Sequence, residues 1–256
     1  MRTIITHFYN EEYLLPRWLE HHKKYFNDGV LIDYGSTDRS VEICREICPT
    51  WQVFPSGYQY FDAEDCDREV MFYERQIPGW RIALTVTEFL MAKDPVSFMP
   101  EIGARMQWLI PGIRFTKWDP DGTLDPNKPL WEQISTGVSY HTNIRAHSCR
   151  SLHNFNDINY RNADGGGVAA GRHFLYPNTD DILIFHYAHA IVGEPMLKRR
   201  LQIQTKISTH DRDAELGKHH FIDENGLNRE NLEILHKELI SLEETDCSDY
   251  IKRMTT

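Results

Sequence analysis

The chain has 256 residues, of which 41% are hydrophobic and 26% are charged, which is enough for one large domain with a substantial core. Its net charge of −10 at pH 7 provides no global positive field, so we expect no nucleic-acid partner. No apolar run reaches the roughly 18 residues typical of a membrane-spanning helix, and we expect a cytoplasmic protein without a transmembrane segment.

The spacing of the cysteines predicts reduced thiols. Their number, five, is odd, and no C-x-x-C pair faces another such pair. Disulfide frameworks and zinc sites require such patterns. We therefore expect neither kind of cross-link.

Strand and helix patterns alternate along the first ninety residues. Four segments rich in apolar and β-branched residues predict strands, and three segments with helical spacing predict helices between them. The predicted strands are 2–9, 29–35, 51–55 and 80–86, and the predicted helices are 10–26, 36–48 and 62–76. This alternation predicts an α/β fold with a mainly parallel sheet and helices on both faces.

Polar residues follow these strands at the point where each one ends. Asn10 and Glu11 follow the first strand, residues 33–38 follow the second, and Glu88 follows the fourth. Ligands of parallel sheets bind beyond the carboxyl ends of the strands, so we expect these side chains to converge on one crevice. Taken singly, each is also explained as a helix cap or turn residue, because Asn, Asp and Ser are favoured there for local reasons.

Several motifs of the chain resemble one enzyme family. Residues 6–43 contain the segments Y-N-E-E, W-x-x-H-H and D-x-G-S-T-D, residues 79–90 read GWRIALTVTEFL, and residues 182–200 contain an H-Y pair followed by basic residues. These segments resemble family 2-type glycosyltransferases of the GT-A fold, whose next landmarks are W-x-x-x-x-D-x-D-E-F and a closing H-Y segment. The resemblance implies a GT-A fold and a nucleoside diphospho-sugar donor.

The resemblance also implies roles for individual residues. Asp33 matches the acid that hydrogen-bonds the nucleotide base, and Asn10 and Glu11 match residues beside the nucleotide. The implied donor-binding set is Asn10, Glu11, Asp33, Gly35, Ser36, Asp38, Thr85, Thr87 and Lys198.

The chain departs from the family at its metal-binding D-x-D pair, which falls on Thr85 and Thr87. Mg²⁺ or Mn²⁺ normally neutralises the charge that develops on a diphosphate leaving group, and a hydroxyl is a poor substitute for a carboxylate. Three interpretations remain open: Glu88 and His186 hold a weaker metal site, the cations of residues 198–200 replace the metal, or the domain binds without transfer. His186 lies in an apolar run and is also typical of a hydrogen-bonded core histidine.

The middle of the chain is expected to recognise the acceptor. An inverting transferase needs a carboxylate that takes the acceptor hydroxyl proton, and Asp157 is our candidate, with Glu88 as the second catalytic carboxylate. His153 and Arg150 are candidates for binding the acceptor or a phosphate. The glycine run 165–167 predicts a mobile loop.

After about residue 190 the chain becomes polar, with helical spacing over 194–208 and 228–244 and a predicted loop over 210–226. We expect residues 1–190 to form the donor-binding and catalytic domain and residues 191–256 a helical extension packed on it. The expected function is sugar transfer from a nucleoside diphosphate donor to a hydroxyl of a glycan or another acceptor. The alternative is an inactive nucleotide- or sugar-binding domain of the same fold, while the Y-N-E-E and H-Y segments count against a nucleotidyltransferase.

Overall fold

The computed structural model describes residues 1–101, 104–139, 149–160, 168–170, 173–174, 177–213, 229–240 and 245–256. The glycine run 165–167 lies outside the described residues. Among the described residues, no helix is long and apolar enough to cross a membrane. All five cysteines are buried free thiols, as predicted.

Strands and helices alternate in the first third of the chain, as predicted. The strands are β1 (Arg2–Phe8), β2 (Asp28–Asp33), β3 (Gln52–Pro55) and β4 (Trp80–Ala83), and the helices are α1 (Leu15–His22), α2 (Ser40–Ile47) and α3 (Ala63–Glu74). The later strands are β5 (Glu88–Met91), β6 (Gln107–Ile110), β7 (Gly112–Asp119), β8 (Thr136–Ser139), β9 (Arg150–His153), β10 (Val168–Ala170), β11 (His173–Phe174), β12 (Leu183–Val192) and β13 (Thr245–Asp246). The later helices are α4 (Glu194–Gln202), α5 (Thr209–Asp213), α6 (Arg229–Ile240) and α7 (Ser248–Thr255).

The first sheet has the strand order β3-β2-β1-β4-β9-β6. Strands β1 to β4 are parallel, and β9 runs antiparallel to both of its neighbours. Ile4 and Leu31 belong to the core cluster that includes α1 and α2, whereas Ile5 and Ile32 belong to the cluster that includes α3. Because successive side chains of a strand point to opposite faces, helices cover both faces of this sheet. The predicted α/β fold class is confirmed.

The second sheet has the order β13-β8-β7-β12-β5 and corrects the predicted fourth strand. That strand ends at Ala83, and Glu88 opens β5, which pairs antiparallel with β12. The reason is a turn in which the Glu88 backbone N–H donates to the Thr85 carbonyl at 2.9 Å. The chain therefore leaves the first sheet and enters the second within four residues.

The first helix is shorter than predicted. It begins at Leu15 rather than near residue 10, and Leu14 precedes it without a side-chain cap. Asn10 has a φ of 51°, outside the helical range, so it cannot belong to this helix. Its backbone N–H and its amide oxygen bond to the loop after β2 instead, and its carbonyl accepts from Gln202 Nε2.

The C-terminal segment contacts the rest of the chain at several points. Phe61 and Ile207 form a parallel β-bridge, and β13 adds a strand to the second sheet. Helix α5 begins at Thr209 and occupies the first four residues of the predicted loop 210–226. The division at residue 190 remains a prediction, and it falls inside β12.

Candidate functional site

Side-chain hydrogen bonds tie together the loops that follow β1 and β2. The Asn10 backbone N–H donates to Ser36 Oγ at 3.0 Å, and the Thr37 backbone N–H donates to the Asn10 amide oxygen at 2.7 Å. The Glu12 backbone N–H donates to Asp38 Oδ2 at 3.0 Å. The predicted residues at the ends of these two strands therefore lie together at one edge of the first sheet.

The backbone at this edge adopts left-handed conformations. Gly35 has a φ of 79° and Asn10 a φ of 51°. Glycine tolerates this region without a Cβ penalty, and asparagine is one of the few other residues that enters it readily. Such conformations cluster at ligand sites, where they let a bound group approach the backbone closely.

A hydrogen-bond acceptor, Asp33, and a cation, Lys206, face the same edge of the sheet. Asp33 ends β2 with a half-buried carboxylate, whose Oδ1 accepts a hydrogen bond from the Ser36 backbone N–H at 2.9 Å. The Lys206 ammonium lies 4.5 Å from the centre of the Tyr9 ring and 3.8 Å from the position that a Cβ would take at Gly35. A ligand at this edge would meet a carboxylate, an aromatic ring and a lysine.

A row of three polar side chains crosses the second sheet. In the strand register Glu88 of β5 pairs with His186 of β12, and His186 pairs with Arg114 of β7. Residues paired across neighbouring strands point to the same face, so the three side chains share one face. The neighbouring pair in the β5–β12 register, Phe89 and Phe185, is buried in the hydrophobic core.

Glu88 is fully buried, and both of its carboxylate oxygens have hydrogen-bond donors. Oε1 accepts from Arg150 Nε at 2.9 Å and Nη2 at 2.8 Å, and Oε2 accepts from the Thr85 backbone N–H at 2.8 Å. Burial by itself raises the pKa of Glu88, but Arg150, with help from His186 and Thr85, lowers that pKa to about 2. Glu88 is therefore a charged, internally paired carboxylate at neutral pH.

Four arginines gather near this row, although the whole chain carries a net charge of −10. They are Arg114 of β7, Arg150 of β9 and Arg199 of α4, which all act on His186, and Arg200 of α4, on which Arg199 and Arg114 act. Burial lowers the pKa of His186, Glu88 raises it, and three of the arginines lower it further, to about 4. The His186 imidazole is therefore neutral at pH 7.

Carboxylates compensate two of these arginines. Arg150 pairs with Glu88, and Arg199 pairs with buried Glu11, whose pKa is raised by burial against the effect of that arginine. In the part of the chain that the structure describes, Arg114 forms no salt bridge and its Nε donates no hydrogen bond. Burial lowers the pKa of Arg114, as expected for a cation held away from water. The site therefore contains a guanidinium whose charge the described carboxylates do not compensate.

The described residues do not fit a divalent metal ion at the position that resembles a D-x-D pair. The Thr85 and Thr87 hydroxyls hydrogen-bond each other at 2.9 Å, and both Glu88 oxygens are occupied. A Mn²⁺ or Mg²⁺ ion bound by Glu88 would have to displace the Arg150 guanidinium. The metal-binding roles of Glu88 and His186 remain predictions that require this displacement.

His153 and Asp157 do not join the other candidate residues. Strand β9 runs antiparallel to β4, so Arg150 begins it beside the carboxyl end of β4 and His153 pairs with Arg81 near the amino end. Asp157 is exposed and pairs with Arg105 at 2.7 Å. Arg150 therefore lies beside Glu88, whereas His153 and Asp157 lie toward the other end of the sheet, and the reason is the direction of β9. The roles of these three residues in the site remain predictions.

The remaining cations of the site differ from the motif-based expectation. Lys198 is exposed on α4, whereas the next residue, Arg199, reaches Glu11. Arg114 and Lys206 belong to no motif, and the only sequence signal for Arg114 is a cation in the otherwise apolar start of β7.

No family model and no curated protein matches the sequence. Among solved structures the chain is similar to S. aureus TarS. A crystal structure of TarS 1–349 is 12% identical, with 85% of this chain and 70% of that chain covered and a TM-score of 0.38. The same fragment in complex with UDP-GlcNAc is 13% identical, with 85% and 71% covered and a TM-score of 0.40. A longer TarS structure is 15% identical, with 86% and 44% covered and a TM-score of 0.38.

Proposed function

We propose that this chain is a GT-A-type glycosyltransferase that binds a nucleoside diphospho-sugar at the carboxyl ends of β1 and β2. The observation that carries the proposal is the gathering of arginines around His186, beside two loops that are tied together at the edge of a parallel sheet. Guanidinium groups bind phosphate oxygens through paired, charge-assisted hydrogen bonds. Such a cluster in an acidic chain supports an anionic ligand such as a diphosphate.

The nucleoside end of the donor is assigned to the loops after β1 and β2. Asp33 Oδ1 is held by the Ser36 backbone N–H, and we assign Oδ2 to an N–H group of the base. Asn10, Gly35, Ser36 and Asp38 shape the backbone around the ribose. Tyr9 provides an aromatic face beside the same edge.

Asp33→Ala is expected to weaken the binding of UDP or GDP, whichever binds more tightly, by about 1.5–3 kcal/mol, because one charge-assisted hydrogen bond is lost. Isothermal titration calorimetry measures the change. Asp28→Ala, at the opposite end of the same strand, is the matched control and should bind as the wild type does. Equal affinity for the wild type and Asp33→Ala would remove Asp33 from the site.

The diphosphate end is assigned to the arginines. Arg114 lacks a carboxylate partner among the described residues, and Arg199 reaches the loop after β1 through Glu11. In this assignment guanidinium groups supply the positive charge that a metal ion supplies in the resembling family. Helix α4 of the 191–256 extension thus completes the donor site, and Lys198 at its exposed surface contributes at most to long-range attraction.

Binding and sugar release are therefore expected to persist without divalent metal. We expect UDP or GDP to bind equally well in EDTA and in Mn²⁺. We also expect His186→Ala to leave any effect of Mn²⁺ on binding or hydrolysis unchanged. Donor hydrolysis in EDTA and in Mn²⁺ distinguishes the alternatives. Turnover that requires Mn²⁺ and disappears in Glu88→Gln would restore the metal site of Glu88 and His186.

The second candidate function is a binding domain that has lost transfer activity. The mutual hydrogen bond of Thr85 and Thr87 and the internal pairing of Glu88 favour it, because neither arrangement presents a free carboxylate to the donor. Tight nucleotide binding without turnover across a donor panel would establish this function. No residue is assigned as the base that deprotonates the sugar acceptor. The candidate, Asp157, pairs with Arg105 and lies apart from the arginines around His186.

A further inference from the structure

A second polar cluster lies where the C-terminal segment meets the start of α3. It consists of Asp62, His210 and Asp211, whose nearest ligand-type atoms all lie within 4.8 Å of one another. The β-bridge between Phe61 and Ile207 brings these distant parts of the chain together.

One oxygen of each carboxylate is fixed by backbone donors. Asp62 Oδ1 accepts from the backbone N–H groups of Glu64 and Asp65 at 2.9 and 3.2 Å, and Asp211 Oδ2 accepts from that of Ala63 at 2.9 Å. The other oxygen of each carboxylate lies beside the imidazole of His210, and the one on Asp62, Oδ2, also accepts from Ser208 Oγ at 2.9 Å. Metal-binding carboxylates are commonly oriented by such outer contacts.

The two inner oxygens both lie close to Nδ1 of His210, which is hydrogen-bonded to the Asp62 oxygen. Nδ1 is 2.9 Å from Asp62 Oδ2 and 3.5 Å from Asp211 Oδ1. Ligand atoms around a tetrahedral zinc ion with bonds of about 2.0–2.2 Å lie about 3.3–3.6 Å apart. An ion bound here would replace the hydrogen bond between His210 Nδ1 and Asp62 Oδ2, and the site would close around it with small movements of an exposed histidine.

Asp211 provides an independent sign of a missing ligand. The residue is only 7% exposed, yet its Oδ1 accepts no hydrogen bond from the described residues. A buried carboxylate oxygen without a donor is costly, and a cation would compensate it.

The cluster is also open to solvent. It borders a surface cavity of about 570 Å³ that is lined by Tyr58, Asp62, Ser208 and His210, among others. Three protein ligands with one side open are typical of sites that retain a water molecule or take an exogenous ligand.

We propose that Asp62, His210 and Asp211 form a binding site for a divalent first-row transition-metal ion, with an open coordination position toward this cavity. One nitrogen and two carboxylate oxygens suit Zn²⁺ and Mn²⁺, and the general order of affinities places Zn²⁺ above Mn²⁺. The ion links α5 to the amino end of α3 and thereby stabilises the C-terminal segment. This inference is independent of the proposed sugar transfer, because neither the site nor its test involves a nucleotide.

Titration calorimetry of the full chain with ZnCl₂, MnCl₂ and MgCl₂ tests the proposal. We expect Zn²⁺ to bind more tightly than Mn²⁺ and Mg²⁺ to bind least, and Zn²⁺ to raise the melting temperature. His210→Ala and Asp211→Asn should each weaken Zn²⁺ binding by at least about tenfold. Asp213→Asn, which changes an exposed acid on the same helix, should bind as the wild type does.

The proposal is overturned if the wild type binds no Zn²⁺, or if the two cluster variants bind it unchanged. Circular dichroism in EDTA shows whether each variant is folded. If a variant is unfolded, paramagnetic broadening of NMR signals by Mn²⁺ locates the ion in the wild type instead. Broadening centred on the amide signals of residues 61–63 and 208–211 supports the site, and broadening centred elsewhere contradicts it.

Discussion

Arg150→Met is expected to lower the free energy of unfolding at pH 7 by about 3–5 kcal/mol, among the largest effects of any single substitution in this chain. The substitution keeps most of the apolar stem of Arg150 but removes the guanidinium that donates twice to Glu88. Glu88 is fully buried and, among the described residues, would keep only the Thr85 backbone N–H as a donor. Urea denaturation of the wild type and the variant measures the loss.

The dependence of stability on pH gives a second readout of the same pair. The pKa of Glu88 is about 2 in the folded chain against an ordinary value of 4.5, so the pair contributes stability above about pH 4.5. That contribution, about 3 kcal/mol, is lost as the pH falls from 4.5 toward 2. The variant should lack this part of the wild-type pH dependence.

The double variant Glu88→Gln/Arg150→Met is the control for charge. It removes both charged side chains and keeps an amide oxygen that can accept from the Thr85 backbone N–H. It should therefore recover much of the stability that Arg150→Met loses. If Arg150→Met alone loses less than about 1 kcal/mol, the value typical of an exposed pair, Glu88 is not held by Arg150.

The parts of the fold that follow from local rules are predictable from the sequence. The alternation of β1 to β4 with three helices appears in the spacing of apolar residues, and the polar loops after β1 and β2 follow from the rule for strand ends. Sheet membership does not follow from these rules. The apolar stretches 82–84 and 89–92 are separated by only four residues, and periodicity does not show that the chain changes sheets between them.

The partners of buried charges are equally hidden in the sequence. Glu88 and Arg150 are 62 residues apart and lie in different sheets, so no spacing rule connects them. The sequence offers Asp157 as a candidate acceptor base, whereas the direction of β9 carries the chain toward the opposite edge. Long-range pairing decides these positions, and it depends on strand order and direction rather than on local pattern.

Arg114→Met is expected to weaken nucleoside diphosphate binding on the order of 10- to 100-fold, corresponding to the loss of one charge-assisted contact of about 1.5–3 kcal/mol. Arg114 points to the same face as His186 and Glu88, and its Nε donates no hydrogen bond among the described residues. A diphosphate would supply the counter-charge that the described carboxylates do not. Titration of the wild type and the variant with UDP and GDP in EDTA measures the change.

The same substitution should not destabilise the free protein, which separates a binding role from a structural one. A partly buried cation without a carboxylate partner costs free energy, and replacing it with an apolar side chain of similar length is often neutral or stabilising. Arg45→Met, which removes an exposed arginine from α2, is the matched control for net charge and should bind nucleotide as the wild type does.

The two measurements together decide the role of Arg114. Weaker binding with unchanged or increased stability fits a guanidinium kept for its ligand, because stability is given up where function requires an uncompensated charge. Unchanged affinity in Arg114→Met would leave the diphosphate without the cation assigned to it. A wild type that binds neither UDP nor GDP would remove the donor site itself, whatever the variant does.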